Sequence, residues 1–300
     1  MQDWWHGNGS AVNNQPQTKH SSQDFWKLYA KRLEFSRYHE SNHSVQAQIH
    51  WIQKHPLYFN LVIKNARPYI YYIYQQVAAR NMPAELALMP MIESSYDPFR
   101  YSRVGATGLW DLMPGTASGL GVRINWWYDG RRDVIESTSA ALSFLSYLHH
   151  HLQSWQLAIP GYDAGAGLID KAVRANKQEH LSTQLWSLNL PLETKAYLPR
   201  LLAIAAIIRD PERYGFQIPA LANEPQFTSF TMTKQISLSE IAHMSGASLA
   251  VIRKLNPGFR RTVTEPDMTY TCLIPSVNAD HFSKNLQRHK PHKKYAMWRR

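Results

Sequence analysis

Cysteine is all but missing from this chain. The one cysteine among 300 residues, Cys272, has no partner for an internal disulfide, which excludes a covalently stapled fold and favours a reducing compartment without excluding an oxidising one. Long apolar runs are missing too. The longest, Leu201 to Ile208, is far short of the roughly 20 residues that a membrane-crossing helix needs. The opening "MQDWWHGNGSAVNNQPQTKH" lacks the apolar stretch of a secretory signal. A soluble chain is therefore expected, with any export signal removed or never present, and the N-terminus does not disclose where the protein resides. Acidic residues are scarce: 22 Asp and Glu stand against 33 Lys and Arg, a net charge of +11. That surplus implies an acidic partner, whether nucleic acid, a membrane surface or an acidic polymer such as a cell wall, and charge alone does not choose among them. Much of it sits in "RHKPHKKYAMWRR", which reads as a solvated, disordered end.

What is present is core material. With 44% hydrophobic and 12% aromatic residues, the chain can fold as one large domain or as two or three smaller ones. Phe25, Leu28 and Tyr29, then Val62, Ala66, Ile70, Ile73 and Val77, recur at helical spacing. "AELALMPMIES" predicts a helix opening at Pro83 and kinked at Pro90. "DVIE" offers a cap at Asp133 with Glu136 three residues on, and the helix it starts carries Ala141, Leu145, Leu148 and Leu152 on one face. "ETKAYLPRLLAIAAIIRDPERYG" predicts an apolar helix stopped at Asp210-Pro211. No alternating strand pattern is found before about Gly215, so a mainly α fold is expected. Beyond it "FTSFTM" alternates, "SLSEIAHMSGASLAVIRKLNPG" reads as two short helices about Gly246, and "YTCLIP" is a short apolar strand: a β-α-α-β unit. The expected divisions are a disordered polar tail over 1–22, a helical region over 23–82, a larger helical domain over 83–222, the small unit over 227–276, and a basic tail over 277–300.

Glu93 lies in an apolar helix, where an acid is most often structural or turned outward. Its position near the helix C-terminus and its neighbours Met91 and Ile92 both disfavour the ionised form. A carboxyl that keeps its proton near neutral pH suits a general acid acting on a glycosidic oxygen. Glu85, eight residues away, stands about 12 Å along the axis, too far for the roughly 5–5.5 Å pair of a retaining glycosidase. Asp97, before Pro98, reads as a turn residue.

"ELALMPMIESSYDP", "GATGLWDLMPGTA", "WWYDGRRDVIESTSAAL", "PGYDAGAG" and "LPLETKAYLPRLLAIAAI" resemble the successive motifs of the lytic murein transglycosylases of the membrane-bound D type, over about Asp24 to Gly215. The resemblance implies a goose-lysozyme-like catalytic domain over 83–222 that acts on peptidoglycan with a single acid. Glu93 matches that acid and Ser94 its following serine. The missing second carboxylate is supplied by the substrate: the C6 hydroxyl of N-acetylmuramic acid attacks its own anomeric carbon and leaves a 1,6-anhydro end. Gly108, Leu109 and Trp110 match "GLWQ", with Asp111 in place of the glutamine. Tyr162, Gly165 and Gly167 match "AYNSGEG", with Asp163, Ala164 and Ala166 in place of Asn, Ser and Glu. Tyr197 matches the tyrosine of the last motif, expected to approach the glutamate. Ser94, Gly108, Trp110, Asp111, Tyr162, Asp163 and Tyr197 are thus expected at the substrate site. No metal or organic cofactor is required for such chemistry. An amide donates to a sugar N-acetyl group whereas a carboxylate only accepts. The two acids in amide positions therefore allow an altered pH optimum, a turn toward hydrolysis, or loss of cleavage.

The C-terminal unit fits a helix-turn-helix, which the basic charge would suit. It resembles a LysM module in its helices, its flanking strands and its "KLNPG", although Thr233-Lys234-Gln235 replaces the usual Gly-Asp; the LysM-like, glycan-binding reading is favoured. "HESNH", His39 to His43, matches H-E-x-x-H for zinc, but Ser41 and Asn42 are weak helix formers and no third ligand is evident. His149, His150 and His151 are consecutive, so on a helix they diverge. Trp126-Trp127-Tyr128 and Tyr71-Tyr72 read mostly as core, and Trp110 is the aromatic singled out for sugar stacking.

The sequence thus points to a peptidoglycan-cleaving enzyme of the periplasm or cell envelope, associated with the outer membrane, monomeric and without nucleic acid as partner. The alternatives, in order, are a non-catalytic peptidoglycan binder, a hydrolytic muramidase and a DNA-binding protein.

Overall fold

A computed structural model describes residues 23–35 and 40–288; the polar segment 1–22 and the basic end 289–300 lie outside the described residues. Four helices come first: α1 (Phe25–Ala30), α2 (His43–Lys54), α3 (Pro56–Ala66) and α4 (Ile70–Ala78). A 3-10 turn, Ala84–Leu88, leads into α5 (Met89–Glu93), followed by α6 (Pro114–Gly119), α7 (Val134–Leu152), α8 (Trp155–Ala164), α9 (Ala166–Gln178) and α10 (Leu192–Arg209). The C-terminal unit is β1 (Phe227–Met232), α11 (Leu238–Ser245), α12 (Leu249–Leu255), β2 (Tyr270–Pro275) and α13 (Ala279–Arg288). The mainly α expectation holds among the described residues, as do the two strands and the paired helices about Gly246.

α10 is the axis. Leu198 and the run Leu201 to Ile208 are buried on every side, the pattern of a helix surrounded by others rather than lying at a surface. α1, α2, α5 and α8 pack on it, so Tyr197, near its start, and Glu93, at the end of α5, belong to one contiguous core. β1 and β2 pair antiparallel from Phe227 opposite Pro275 to Met232 opposite Tyr270. They carry a second apolar cluster with Ile241, Ile252 and Phe282.

Local structure departs from the expectations at four places. Pro90 does not kink a long helix. It sits in the first turn of α5, where its missing N–H costs nothing, and the segment before it is a 3-10 turn. The helix expected through Val77 is broken after Ala66, two residues beyond which Pro68 denies the backbone a donor. Asp133 does cap α7, accepting from the N–H groups of Ile135 and Glu136, but Glu136 turns away to accept from the Arg123 N–H at 2.7 Å. The stretch expected as a basic tail from 277 begins with a helix: α13 buries Phe282, whose ring meets Phe230 edge-on at 4.9 Å, with Leu286 one turn on against the same cluster.

The C-terminal unit is seated on the helical part by two main-chain hydrogen bonds and one from a side chain. The Asp129 N–H donates to Gly258 O at 2.8 Å, the Arg260 N–H to Trp127 O at 2.9 Å, and the Tyr69 hydroxyl to Lys254 O at 2.7 Å. Gly258 permits this approach, since a β-carbon there would lie 2.9 Å from the Tyr128 ring. The connecting segment is packed as well: Leu221 is buried and its carbonyl accepts from the Phe25 N–H, while Arg67 donates to Pro219 O.

Candidate active site

The local chain around Glu93 is strained and pinned. After α5 ends, Ser95 and Tyr96 both hold positive φ, 54° and 56°, a conformation that costs a residue with a β-carbon roughly 1–2 kcal/mol. Three bonds impose it: the Tyr96 N–H donates to Pro90 O, the Tyr96 hydroxyl to Ala87 O, and the Asn65 amide to Ser95 O. The turn stops α5 at Glu93 and leaves that side chain at the mouth of the core.

Opposite it lies the loop 100–112. The Arg131 guanidinium, buried and paired with Asp129 at 2.8 Å, donates to Gly105 O at 2.7 Å. Such a pair is costly to bury and worth keeping where it fixes a geometry. Gly108 takes φ +85°, and a β-carbon there would sit 2.0 Å from Arg131 O, so no other residue fits. Asp111 completes the turn with its N–H donating to Gly108 O and φ +46°.

Glu93 is half-buried. Tyr197 donates its hydroxyl to Oε1. Burial raises the Glu93 pKa to about 8; the Tyr197 hydrogen bond and the Arg100 charge pull it down, while Asp163 and Asp111 push it up. The expected effect on Glu93 is present, and desolvation rather than the dipole of the five-residue α5 is its leading cause. At neutral pH this acid holds its proton.

The other expected site residues divide into two groups. Asp111, half-buried with Oδ1 enclosed and without a hydrogen-bond partner among the described residues, and Asp163, exposed, both act on Glu93. Their own pKa values are raised, chiefly by desolvation. Tyr162 and Tyr197 bring their rings to the same place, Tyr162 donating to Trp110 O at 2.8 Å. Ser94 and Trp110 do not face the open side. Ser94 is buried and its hydroxyl donates to Leu109 O at 2.8 Å. Trp110 is fully buried, its indole N–H donating to Thr138 Oγ1 at 3.0 Å. Stacking of a sugar on Trp110 is thereby corrected: the ring fills the core, and its backbone shapes the loop. Sequence reasoning missed Arg100, whose charge reaches both Glu93 and Asp111; an exposed arginine in "DPFRYSRVG" carries no signal of its own.

The zinc motif dissolves. Glu40 is bonded to Arg209, Arg213 and Tyr214, His39 lies outside the described residues, and among these no group of three or more His, Cys, Asp or Glu is placed to hold a metal. His149 stacks on Trp155 and His151 pairs with Asp170, so the three histidines diverge.

Comparison with known proteins matches residues 70–184 to the transglycosylase SLT domain and residues 226–291 to the LysM-like domain of lytic transglycosylase MltD. The membrane-bound lytic murein transglycosylase D of Escherichia coli (strain K12) is 31% identical over 264 residues, covering 88% of this chain and 58% of the relative. The corresponding protein of Escherichia coli O6:H1 gives the same values. A protein of Alteromonas sp. (strain M-1), named for tributyltin chloride resistance, is 38% identical over 176 residues, covering 57% of this chain and 83% of its own length. The chain thus spans little more than half the length of its Escherichia coli relatives. The C-terminal unit is LysM-like rather than a helix-turn-helix, a mainly helical transglycosylase SLT domain precedes it, and over most of its length the chain is similar to membrane-bound lytic murein transglycosylase D.

Proposed function

We propose that this protein cleaves the β-1,4 bond between N-acetylmuramic acid and N-acetylglucosamine in peptidoglycan and leaves a 1,6-anhydro end. The observation that carries the reading is the half-buried Glu93, protonated up to about pH 8 with the Tyr197 hydroxyl on its carboxyl. Glu93 gives its proton to the bridging oxygen as the C1–O4 bond breaks. The carboxylate it becomes then takes the proton of the C6 hydroxyl as O6 bonds to C1. The acid is regenerated and no water is consumed. Tyr197 steadies the carboxylate between the two transfers, and Tyr162 holds the loop through Trp110 O. Asp111 and Asp163 face the substrate side, while Gly108, Ser94 and Trp110 shape the loop from behind.

In this reading residues 23–82 buttress the cleaving domain over 83–222, and the LysM-like unit over 227–276, extended by α13, grips glycan. The place of action is the cell envelope. The Escherichia coli relative is named as membrane-bound; association with the outer membrane and a monomeric state complete the proposal. Among the described residues no helix is long and apolar enough to cross a membrane.

The test is mass spectrometry of sugars released from purified peptidoglycan by the protein and by Glu93→Gln. Anhydro-ended products absent from the variant support the reading. Products heavier by one water favour a second reading, hydrolysis with Asp111 or Asp163 positioning the water, which their closeness to Glu93 permits. No release at any pH from 4 to 9 overturns both.

A further inference from the structure

Where the loop following α5 meets the LysM-like unit there is a cleft of about 250 Å³. Phe99 lines it from the helical side; Arg253, Arg260, Arg261, Asn256 and Thr262 are among those lining it from the other. Three of the lining residues are arginines and none is acidic. Two of the three are held in place. Arg260 donates through Nη1 to Asn125 O at 2.8 Å, and the Arg261 guanidinium lies over the exposed Trp126 ring, 3.4 Å from its centroid. The buried Nε of Arg261 has no hydrogen-bond partner among the described residues, so the ring contact is what holds this guanidinium. Arg253, exposed in the last turn of α12, adds a third positive charge.

Planar guanidinium groups that are already oriented recognise an oxyanion in a forked geometry, and they lose little freedom on doing so. The cleft also adjoins the candidate active site through the chain itself. Phe99 lines it, and the next residue, Arg100, is the one whose charge reaches Glu93 and Asp111.

We propose that this cleft is a subsite for a free carboxylate of the peptide that a peptidoglycan strand carries, so that the sugar lies at Glu93 while its peptide is held at the junction of the two units. The proposal rests on peptidoglycan being the substrate. A phosphate group offers the same oxyanion chemistry, but the carboxylate arrives tethered to the strand being cut.

The test is calorimetric titration of the full chain with a soluble stem tetrapeptide, with the same peptide bearing amidated carboxylates, and with inorganic phosphate. The free peptide is expected to bind at least tenfold more tightly than either of the others, and the double variant Arg253→Gln/Arg260→Gln to lose at least tenfold. Arg253→Gln alone, at an exposed side chain, takes its place if the double variant does not fold, with a loss of at least threefold expected. Equal binding of free and amidated peptide, undiminished binding by the variant, or phosphate as tight as peptide would each overturn the proposal. A companion measurement compares kcat/KM on peptide-bearing strands and on strands stripped by an amidase, where the preference for the former should fall toward one in the variant. Peptide binding without any strand cleavage would sink the cleaving reading and leave the subsite standing. Cleavage with no peptide binding would do the reverse.

Discussion

The Tyr197 hydroxyl, carried by α10, donates to the carboxyl of Glu93 at the end of α5, and this bond opposes the burial that surrounds it. Burial raises the Glu93 pKa and the hydrogen bond lowers it, because a donor favours the ionised acceptor. Tyr197→Phe should therefore push the Glu93 pKa above its value of about 8. A general acid works while protonated, so the alkaline limb of kcat/KM against pH should move upward, while kcat falls roughly 10- to 100-fold for loss of carboxylate positioning. A limb that moves downward would contradict the assignment.

Replacing Glu93 by Gln should stabilise the protein in one direction of pH. The native pKa of about 8 lies above the ordinary value of 4.5. Below 4.5 both states hold the proton and burial carries no ionic penalty. From 4.5 to 8 the unfolded chain releases its proton and the native protein does not, so native stability declines and then levels off. Glu93→Gln escapes this. Its unfolding free energy relative to the natural protein should be level near pH 4 and higher near pH 8, by roughly 1–2 kcal/mol after allowance for the partial exposure of Glu93. A difference independent of pH would count against the raised pKa.

Asp111 and Asp163 both raise the Glu93 pKa, so Asp111→Asn and Asp163→Asn should each shift the alkaline limb downward, by less than about one unit for a single neighbouring charge. Asp163 is exposed, and its contribution should fade in 1 M salt, where screening reaches about 3 Å. Rate profiles at low and high salt separate the two. An upward shift in either variant would refute the coupling.

Two glycines of the same motifs should respond oppositely to alanine. Gly108 holds φ +85° with Arg131 O where a β-carbon would go, so Gly108→Ala should cost about 2–4 kcal/mol. A β-carbon added at Gly167, inside α9, would meet nothing within 4 Å among the described residues, and Gly167→Ala should be neutral or stabilise by up to roughly 1 kcal/mol. Thermal unfolding measures both, and equal losses would show that the loop's tolerance has been misjudged.

Sequence patterning made α7, α10, the helix pair about Gly246 and both strands legible because apolar patterning is a local property, whereas α6, α8 and α9 were not marked out. It also marked Glu93, since an acid among Met91 and Ile92 announces its own desolvation. What it could not rank was orientation. Ser94 and Trp110 sit within the motifs that form the site, yet Ser94 bonds to Leu109 O and Trp110 to Thr138, contacts set by the meeting of α5, the loop and α7. Arg100 was invisible for the same reason. α13 was hidden by its basic composition, although Phe282 and Leu286 at a spacing of one turn gave the clue.

The seating of the LysM-like unit bears on how the chain behaves when cut. Asp129 with Gly258, Arg260 with Trp127 and Tyr69 with Lys254 join the two parts independently of the segment that connects them, and that segment is anchored at Pro219 and Leu221. Covalent continuity there is then largely redundant. A single proteolytic nick between 222 and 226 should yield two fragments that stay together through gel filtration, and the two pieces expressed separately should find each other, reassembling the junction as a noncovalent complex.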